Sequence, residues 1–275
     1  MIEMQLGEIV EALGADVPSD SLLDPSAVVT GSVVIDSRAV RPGDLFVAIV
    51  GENHDGHDHV GEAVERGAVA AVVQTSLPGP TIWVPDTVRA LGDLATAVLA
   101  RAEAVTVVGI TGSSGKTSTK DLLAAVLAAD GPTVAPVGSF NNDIGLPMTV
   151  LSIDPTTKYL VLEMGARGPG HVARLCSIAR PDIGIVLNVG SAHLGEFGSP
   201  EATATAKAEL VQALAPRGTA VLNADDPRVA AMAALTAAQV VTFGTSPSAT
   251  VRLERMELDD SGRPGIRVRF ADSSP

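Results

Sequence analysis

The segment Val107-Val-Gly-Ile-Thr-Gly-Ser-Ser-Gly-Lys-Thr-Ser-Thr-Lys120 holds the most chemistry in the chain. An apolar run enters a turn of glycine and serine, and Gly115-Lys116-Thr117 then opens a stretch with helical spacing. Backbone N–H groups of such a turn converge with those of the first helical turn, where the helix dipole also favours an anion. The segment therefore suits phosphate. Gly109, Thr111, Gly112, Ser113, Ser114, Gly115 and Ser118 would form the cradle. Lys116 would reach the outer phosphates, and the Thr117 hydroxyl would bind Mg²⁺. The spacing departs from the strict G-x-x-x-x-G-K-[ST] pattern, because Ile110 stands in the first glycine's place with Gly109 and Gly112 on either side.

Other reactive side chains sit where strands end or helices begin. Glu163 closes the apolar run Tyr159-Leu-Val-Leu-Glu, and His193 follows the run Ile183–Leu187. In a parallel sheet both would lie at the carboxyl edge, where ligands bind. Spacing alone also allows a solvated acid and a hydrogen-bonded loop histidine. Lys207 lies within a helical stretch and could be a solvated surface lysine, while Asn223-Ala-Asp-Asp-Pro227 could be a helix cap. Asn141 and Asn142 precede a turn, and Ser37-Arg38 offers a hydroxyl beside a guanidinium fork able to hold phosphate. His54, His57 and His59 stand beside Asp55 and Asp58 at spacings that match no standard zinc pattern.

Periodicity supplies the elements that position these groups. Leu6, Ile9, Val10 and Leu13 predict a short helix stopped by Gly14. Strands are predicted at Val28–Ile35, Leu45–Val50, Ala68–Val73 and Ile82–Val84, with a helix over Gly61–Gly67. A helix over Asp86–Ala102 then leads into a second region. There strands at Val105–Ile110, Thr133–Val137, Tyr159–Glu163, Ile183–Leu187, Ala220–Leu222 and Val240–Phe243 alternate with helices at Lys116–Ala129, Gly170–Ile178, Pro200–Leu214 and Pro227–Leu235. Continuous apolar strands between helices predict an α/β fold with a mainly parallel sheet covered on both faces. Val251–Leu258 and Ile266–Phe270 flank Asp259-Asp260-Ser261-Gly262 as a hairpin. Two domains are expected, residues 1–85 and 86–275.

Composition bounds the partners. Nineteen Lys and Arg against 32 Asp and Glu give a formal net charge of -13, which disfavours a nucleic-acid backbone as ligand. The single cysteine, Cys176, cannot form an internal disulfide, which fits a reducing cytoplasm. No apolar run approaches the roughly 18 residues of a membrane helix, so no membrane insertion is expected.

Gly-Ile-Thr-Gly-Ser-Ser-Gly-Lys-Thr from Gly109 resembles the ATP loop of the Mur ligases, the ADP-forming amide ligases of peptidoglycan synthesis. Asp36-Ser37-Arg38, Pro42-Gly43-Asp44-Leu45-Phe46-Val47-Ala48 and Asp55-Gly56-His57 resemble that family's domain for the uridine nucleotide substrate. Asn141-Asn-Asp-Ile-Gly-Leu-Pro-Met-Thr149, Glu163-Met-Gly-Ala166 and Ala192-His-Leu-Gly-Glu-Phe-Gly-Ser199 resemble its branch that joins D-alanyl-D-alanine to UDP-N-acetylmuramoyl tripeptide. The resemblance implies a small substrate domain, a P-loop ATP-binding domain, ATP and two Mg²⁺ ions. It implies Lys116, Glu163, His193 and Lys207 as catalytic groups, with Thr117, Glu163, His193 and a carbamylated Lys207 around the metal. Ala208 stands where the family usually has glycine. Asn223 would lie near adenosine, Asn141 and Asn142 near the acyl end of the nucleotide substrate, and Ser37 and Arg38 on the uridine diphosphate. A monomeric cytoplasmic ligase is expected; another Mur-type ligase, folylpolyglutamate synthase or a non-ligating nucleotide switch are the alternatives. The family's third domain finds no counterpart in the sequence, which implies a central domain incomplete at its C-terminus and a chain that does not complete ligation alone.

Overall fold

The structure, a computed structural model, describes residues 1–17, 21–190 and 199–271. Packing divides the chain into two compact units, residues 1–105 with 131–160, and residues 106–130 with 161–275. The fold is α/β with mostly parallel sheets.

The first unit opens with β1 (Met4–Gln5) and α1 (Leu6–Leu13). Gln5 and Glu8 cap the helix reciprocally, Leu6 and Ile9 are buried, and Gly14 ends it in the left-handed region at φ 53°. The single strand expected over Val28–Ile35 is instead two short ones, β2 (Val28–Val29) and β3 (Val33–Val34). Asp44 separates them. Its carboxylate accepts the N–H groups of Ser32 at 2.7 Å and Arg41 at 2.8 Å, and a Cβ on Gly31 would lie 2.2 Å from Asp44 Oδ1. Strands β3, β4 (Leu45–Val47), β5 (Ala70–Val73) and β6 (Thr81–Trp83) form a parallel sheet in that order. Phe46, Ala48, Ala71 and Val73 pack with Val60 and Ala63 of α2 (Val60–Glu65) into its core.

Helix α3 (Thr87–Ala100) is capped by Asp86 and buries Leu91, Leu94, Ala95 and Val98. It packs on α1 and on α5 (Gly145–Val150), so by packing it lies in the first unit. Strand β8 (Thr133–Val134) stops short of the expected Val137 and pairs with Tyr159 and Leu160. Pro136 accounts for the early stop, since it lacks an N–H and restricts the residue before it.

The second unit holds β7 (Thr106–Thr111), the end of β9 (Tyr159–Glu163), β10 (Ile183–Val186), β11 (Thr219–Asn223), β12 (Gln239–Gly244), β13 (Val251–Leu258) and β14 (Pro264–Phe270). Their spatial order is β14-β13-β12-β11-β10-β7-β9. Pairs from β7–β10 through β12–β13 are parallel, and β13–β14 is the expected antiparallel hairpin. Strand β7 stands between β9 and β10, so chain order reverses there, and a crevice is expected beyond its carboxyl end. Helices α4 (Lys116–Ala128), α6 (His171–Ile178), α7 (Pro200–Gln212) and α8 (Pro227–Ala230) connect the strands. The helix expected over Pro227–Leu235 tightens after Ala230 into a 3₁₀ turn over Ala231–Leu235, a common way for a helix to end.

Two glycines let α7 lie close to this sheet. A Cβ on Gly109 of β7 would stand 3.0 Å from Leu210 Cδ1, and one on Gly184 of β10 would stand 3.3 Å from Leu210 Cγ and Leu214 Cδ1. Leu210 is fully buried.

Candidate active site

The phosphate loop joins β7 to α4. Gly115, at φ 80°, adopts the left-handed conformation that starts α4, which glycine reaches without steric cost. Asn188, just beyond β10, holds the loop. Its side-chain oxygen accepts the N–H groups of Ser113 and Ser114, both at 3.0 Å, and its amide donates to Ser114 O at 3.2 Å. Ser113 Oγ accepts the Gly190 N–H at 2.9 Å. With Ser113 and Ser114 committed to Asn188, the donors facing an anion are those of Gly115, Lys116 and Thr117, because the first N–H groups of a helix have no partner within it.

Lys116 Nζ donates to Gly112 O at 2.9 Å, folding back over the loop. Thr117 Oγ1 donates to Glu163 Oε2 at 2.9 Å. Glu163 is 1% exposed at the end of β9. A hydroxyl and a carboxylate thus stand side by side as hard oxygen donors, the set that Mg²⁺ selects, and the residues present fit that ion. Lys207 is 4% exposed on α7. Burial, and next the charge of Lys116, push its ammonium down to about 8. Ala208 beside it is buried too.

The remaining expected residues fall in several settings. Gly109 and Thr111 belong to β7 itself, and the Thr111 hydroxyl donates to Met164 O at 2.9 Å. Ser118 is exposed on α4. Asn223 ends β11 and donates through Nδ2 to Leu187 O at 2.8 Å, tying β11 to the end of β10. His193 and the motif Ala192–Gly198 lie outside the described residues.

Ser37, Arg38, Asn141 and Asn142 belong to the first unit. Asn142 Oδ1 accepts the N–H groups of Ile144 and Gly145 at 3.2 and 2.8 Å and so starts α5. Asp36 caps the 3₁₀ turn Ser37–Ala39 and also grips Arg38 in a two-point ion pair, Nε to Oδ1 at 2.9 Å and Nη2 to Oδ2 at 2.7 Å. The hydrogen-bonded guanidinium holds the Asp36 carboxyl down at about 2. Ser37 Oγ donates to Glu62 Oε2 at 2.8 Å, and Arg66 Nε to Glu62 Oε1 at 2.9 Å; together they hold Glu62 below the usual carboxylate range. Ile35, Asp36, Ser37, Arg38, His59 and Glu62 line a cleft of about 600 Å³.

Among the described residues no group of three His, Cys, Asp or Glu is placed to hold a metal ion. His57 is buried. Its Nδ1 lies 2.6 Å from Asp55 Oδ1, and its Nε2 accepts the Gln74 N–H at 2.9 Å, which fixes the neutral tautomer with its proton on Nδ1. Spacing missed Asn188, which organises the phosphate loop, and gave no sign that Glu209 accepts the N–H groups of Gly170 at 2.6 Å and Ala173 at 2.9 Å. Both act on segments brought alongside by the sheet and the helix packing, which leave no local pattern in the sequence.

Known proteins resemble the chain along its whole length. The Mur ligase middle domain matches residues 110–272, and a domain described as the Mur ligase family catalytic domain matches residues 30–98. The UDP-N-acetylmuramoyl-tripeptide–D-alanyl-D-alanine ligase of Mycobacterium tuberculosis is 48% identical over 99% of the chain and 58% of its own length. The Escherichia coli protein of the same name is 40% identical over 82% of the chain and 49% of its own length. Crystal structures of MurF from Acinetobacter baumannii and of MurF from Thermotoga maritima in complex with ADP superpose with TM-scores of 0.86 and 0.80, at 29% and 35% identity. They cover 98% and 89% of this chain, which covers 58% and 57% of theirs. The chain thus spans between 49% and 58% of the length of these relatives. The phosphate loop, the buried acid at the end of β9 and the matched sequence lead to one assignment: the chain belongs to the Mur ligase family.

Proposed function

We propose that the chain carries the nucleotide-substrate and ATP-handling parts of an ADP-forming ligase that joins D-alanyl-D-alanine to UDP-N-acetylmuramoyl tripeptide. The observation that carries this reading is the Thr117–Glu163 contact beside Lys116, in a chain aligned over 99% of its length with a ligase of that name. In this reading residues 1–85 receive the uridine nucleotide, and residues 86–275 handle ATP. Ser37 and Arg38 bind the diphosphate, and Asn141 and Asn142 face the acyl end. Asn223 lies toward adenosine.

The terminal carboxylate of the tripeptide takes the γ-phosphoryl group of ATP, giving an acyl phosphate and ADP. The D-alanyl-D-alanine amine then attacks the acyl carbon, phosphate leaves, and the amine loses its proton. The chain supplies little covalent chemistry. Helix-start N–H groups and Lys116 neutralise charge as it spreads over the phosphoryl oxygens, and positioning does the rest. Thr117, Glu163 and His193 would hold Mg²⁺, which when bound screens the phosphates from the incoming carboxylate. Lys207 would join a second ion as its carbamate. Carbamylation requires the neutral amine, and burial favours that form. A monomeric cytoplasmic enzyme accords with the small-molecule substrates, and among the described residues no helix is long and apolar enough to cross a membrane.

Calorimetry tests the reading. The chain is expected to bind both UDP-N-acetylmuramoyl tripeptide and Mg-ADP. Mg-ADP binding with no affinity for the uridine nucleotide would overturn it in favour of a nucleotide switch.

A further inference from the structure

Glu209 lies two residues beyond Lys207 on α7, and its carboxylate does not face the phosphate loop. Oε1 accepts the N–H of Gly170 at 2.6 Å, and Oε2 accepts the N–H of Ala173 at 2.9 Å. Gly170 is the N-cap of α6, has φ 83°, and brings no side chain of its own to the cap. A residue on one helix thus caps the start of another. Both bonds are charge-assisted, and the carboxylate sits at the positive end of the α6 dipole. Helix α6 follows the segment Met164–Gly170, which leaves β9 directly after Glu163.

Three further ties hold α7. Leu210 and Leu214 rest on the bare backbone of Gly109 and Gly184, which sets the height of the helix above the sheet. Ser199 caps its start through the Ala202 N–H at 3.1 Å, and Arg180 Nε donates to Ala213 O at 2.9 Å near its end. Successive residues turn by about 100° along a helix, which puts Glu209 well off the face shared by Lys207 and Leu210. Leucine packing alone lets a helix roll about its own axis. A carboxylate fixed to two N–H groups on a neighbouring helix does not.

We infer that Glu209 is a positioning residue, the clamp that sets the roll of α7 and thereby keeps the Lys207 amine buried against the phosphate-loop side of the sheet. The inference rests on the proposed function only for the purpose Lys207 serves; the clamp itself is a matter of geometry. Glu209 touches neither nucleotide nor metal in this assignment.

The test is amine footprinting of the intact protein at one fixed pH, with an acetylating ester and peptide mass analysis, using Lys158 as the internal reference. Glu209→Ala is expected to raise acetylation of Lys207 by roughly fivefold or more, because the helix now opens locally. Glu209→Gln keeps an acceptor oxygen and is expected to restore most of the protection. Hydrogen exchange at Gly170 and Ala173 is followed in the same samples, and Mn²⁺ affinity in the presence of ADP is expected to fall with the loss of protection. Faster exchange at Gly170 and Ala173 with Lys207 still protected would overturn the inference, since Glu209 would then only join two helices. If Glu209→Ala does not fold, Glu209→Asp takes its place: its side chain is one methylene shorter and is expected to lose at least one of the two bonds to Gly170 and Ala173, so both exchange and acetylation must rise. Unaltered acetylation there also overturns it. Mn²⁺ affinity unchanged while Lys207 becomes reactive would instead count against Lys207 as a metal ligand and leave the clamp standing.

Discussion

The phosphate loop and the Arg38 cleft solve the same problem, holding reactive side chains still before a ligand arrives, in opposite ways. At the loop, Thr117 and Glu163 hold each other, and both are oxygen donors that one cation could take together. A ligand there inserts between groups already facing it. In the cleft Arg38 is held by Asp36, a carboxylate that competes for the same fork a diphosphate would use. A ligand there must displace a partner or share it. Internal hydrogen bonding is thus preparation in one place and competition in the other, and only the chemistry of the partner tells them apart.

The sharpest way to break this contrast is Lys116→Ala. It removes the cation that folds over the loop, and Mg-ADP affinity is expected to fall by about tenfold or more while uridine nucleotide affinity in the first unit is unchanged. Calorimetry with each ligand checks both arms. Arg38→Ala is expected to weaken uridine diphosphate binding by roughly tenfold, as loss of a two-point fork should. Asp36→Asn has the opposite sign and a smaller size, a gain of roughly two- to fivefold, because the competitor is weakened. Acidification from about pH 7 to about pH 5 is not expected to mimic it. Arg38 keeps Asp36 ionised down to about 2, so the carboxylate stays charged throughout. A tighter complex at the lower pH would show that some other group governs the fork.

The smallest expected effect lies away from both sites. Burial pushes the Cys176 thiol up to about 12. Below its usual range the thiol is protonated in folded and unfolded chain alike. Above that range the unfolded chain loses the proton first, so stability falls as pH rises toward the folded value. Iodoacetamide at about pH 8 is therefore expected to leave Cys176 unmodified until the chain is unfolded by urea. Reaction in the native state would mean that α6 opens more readily than its packing implies.

The order of the elements was legible because it rests on local signals. Tyr159–Glu163 alternates nowhere and reads as a buried strand, Gly14 stops α1, and Asp259–Gly262 marks the hairpin. What failed rests on distant partners. Nothing near Val28–Ile35 announces that Asp44 will split the strand; at β8, by contrast, Pro136 is itself a local stop signal. The site divides in the same way. Lys116 and Thr117 are contiguous and carry their own context, whereas Glu163 is one acid among many until the sheet sets β9 beside β7. Arg38 offers by type a fork that suits phosphate, but the grip of Asp36 two residues earlier depends on a 3₁₀ turn that residue types do not dictate.

Gly109 and Gly184 have a consequence for how this sequence can drift. The rest of the core can exchange methyl for methylene and let neighbours absorb the volume, at about 1 kcal/mol or so for each adjustment. The spacing between α7 and the sheet has less slack, because it is set by atoms that are not there: a single methyl at Gly109 meets Leu210 at 3.0 Å and Met164 at 3.3 Å. A methyl there requires those side chains, or the helix that carries Leu210, to give by a few tenths of an ångström. Leu210 is fully buried, so a smaller side chain there leaves a cavity at a cost of about 2 kcal/mol or more, and neither the leucine nor the two glycines changes freely alone. Compensation for a methyl at either would have to come from the helix, as a truncation facing it.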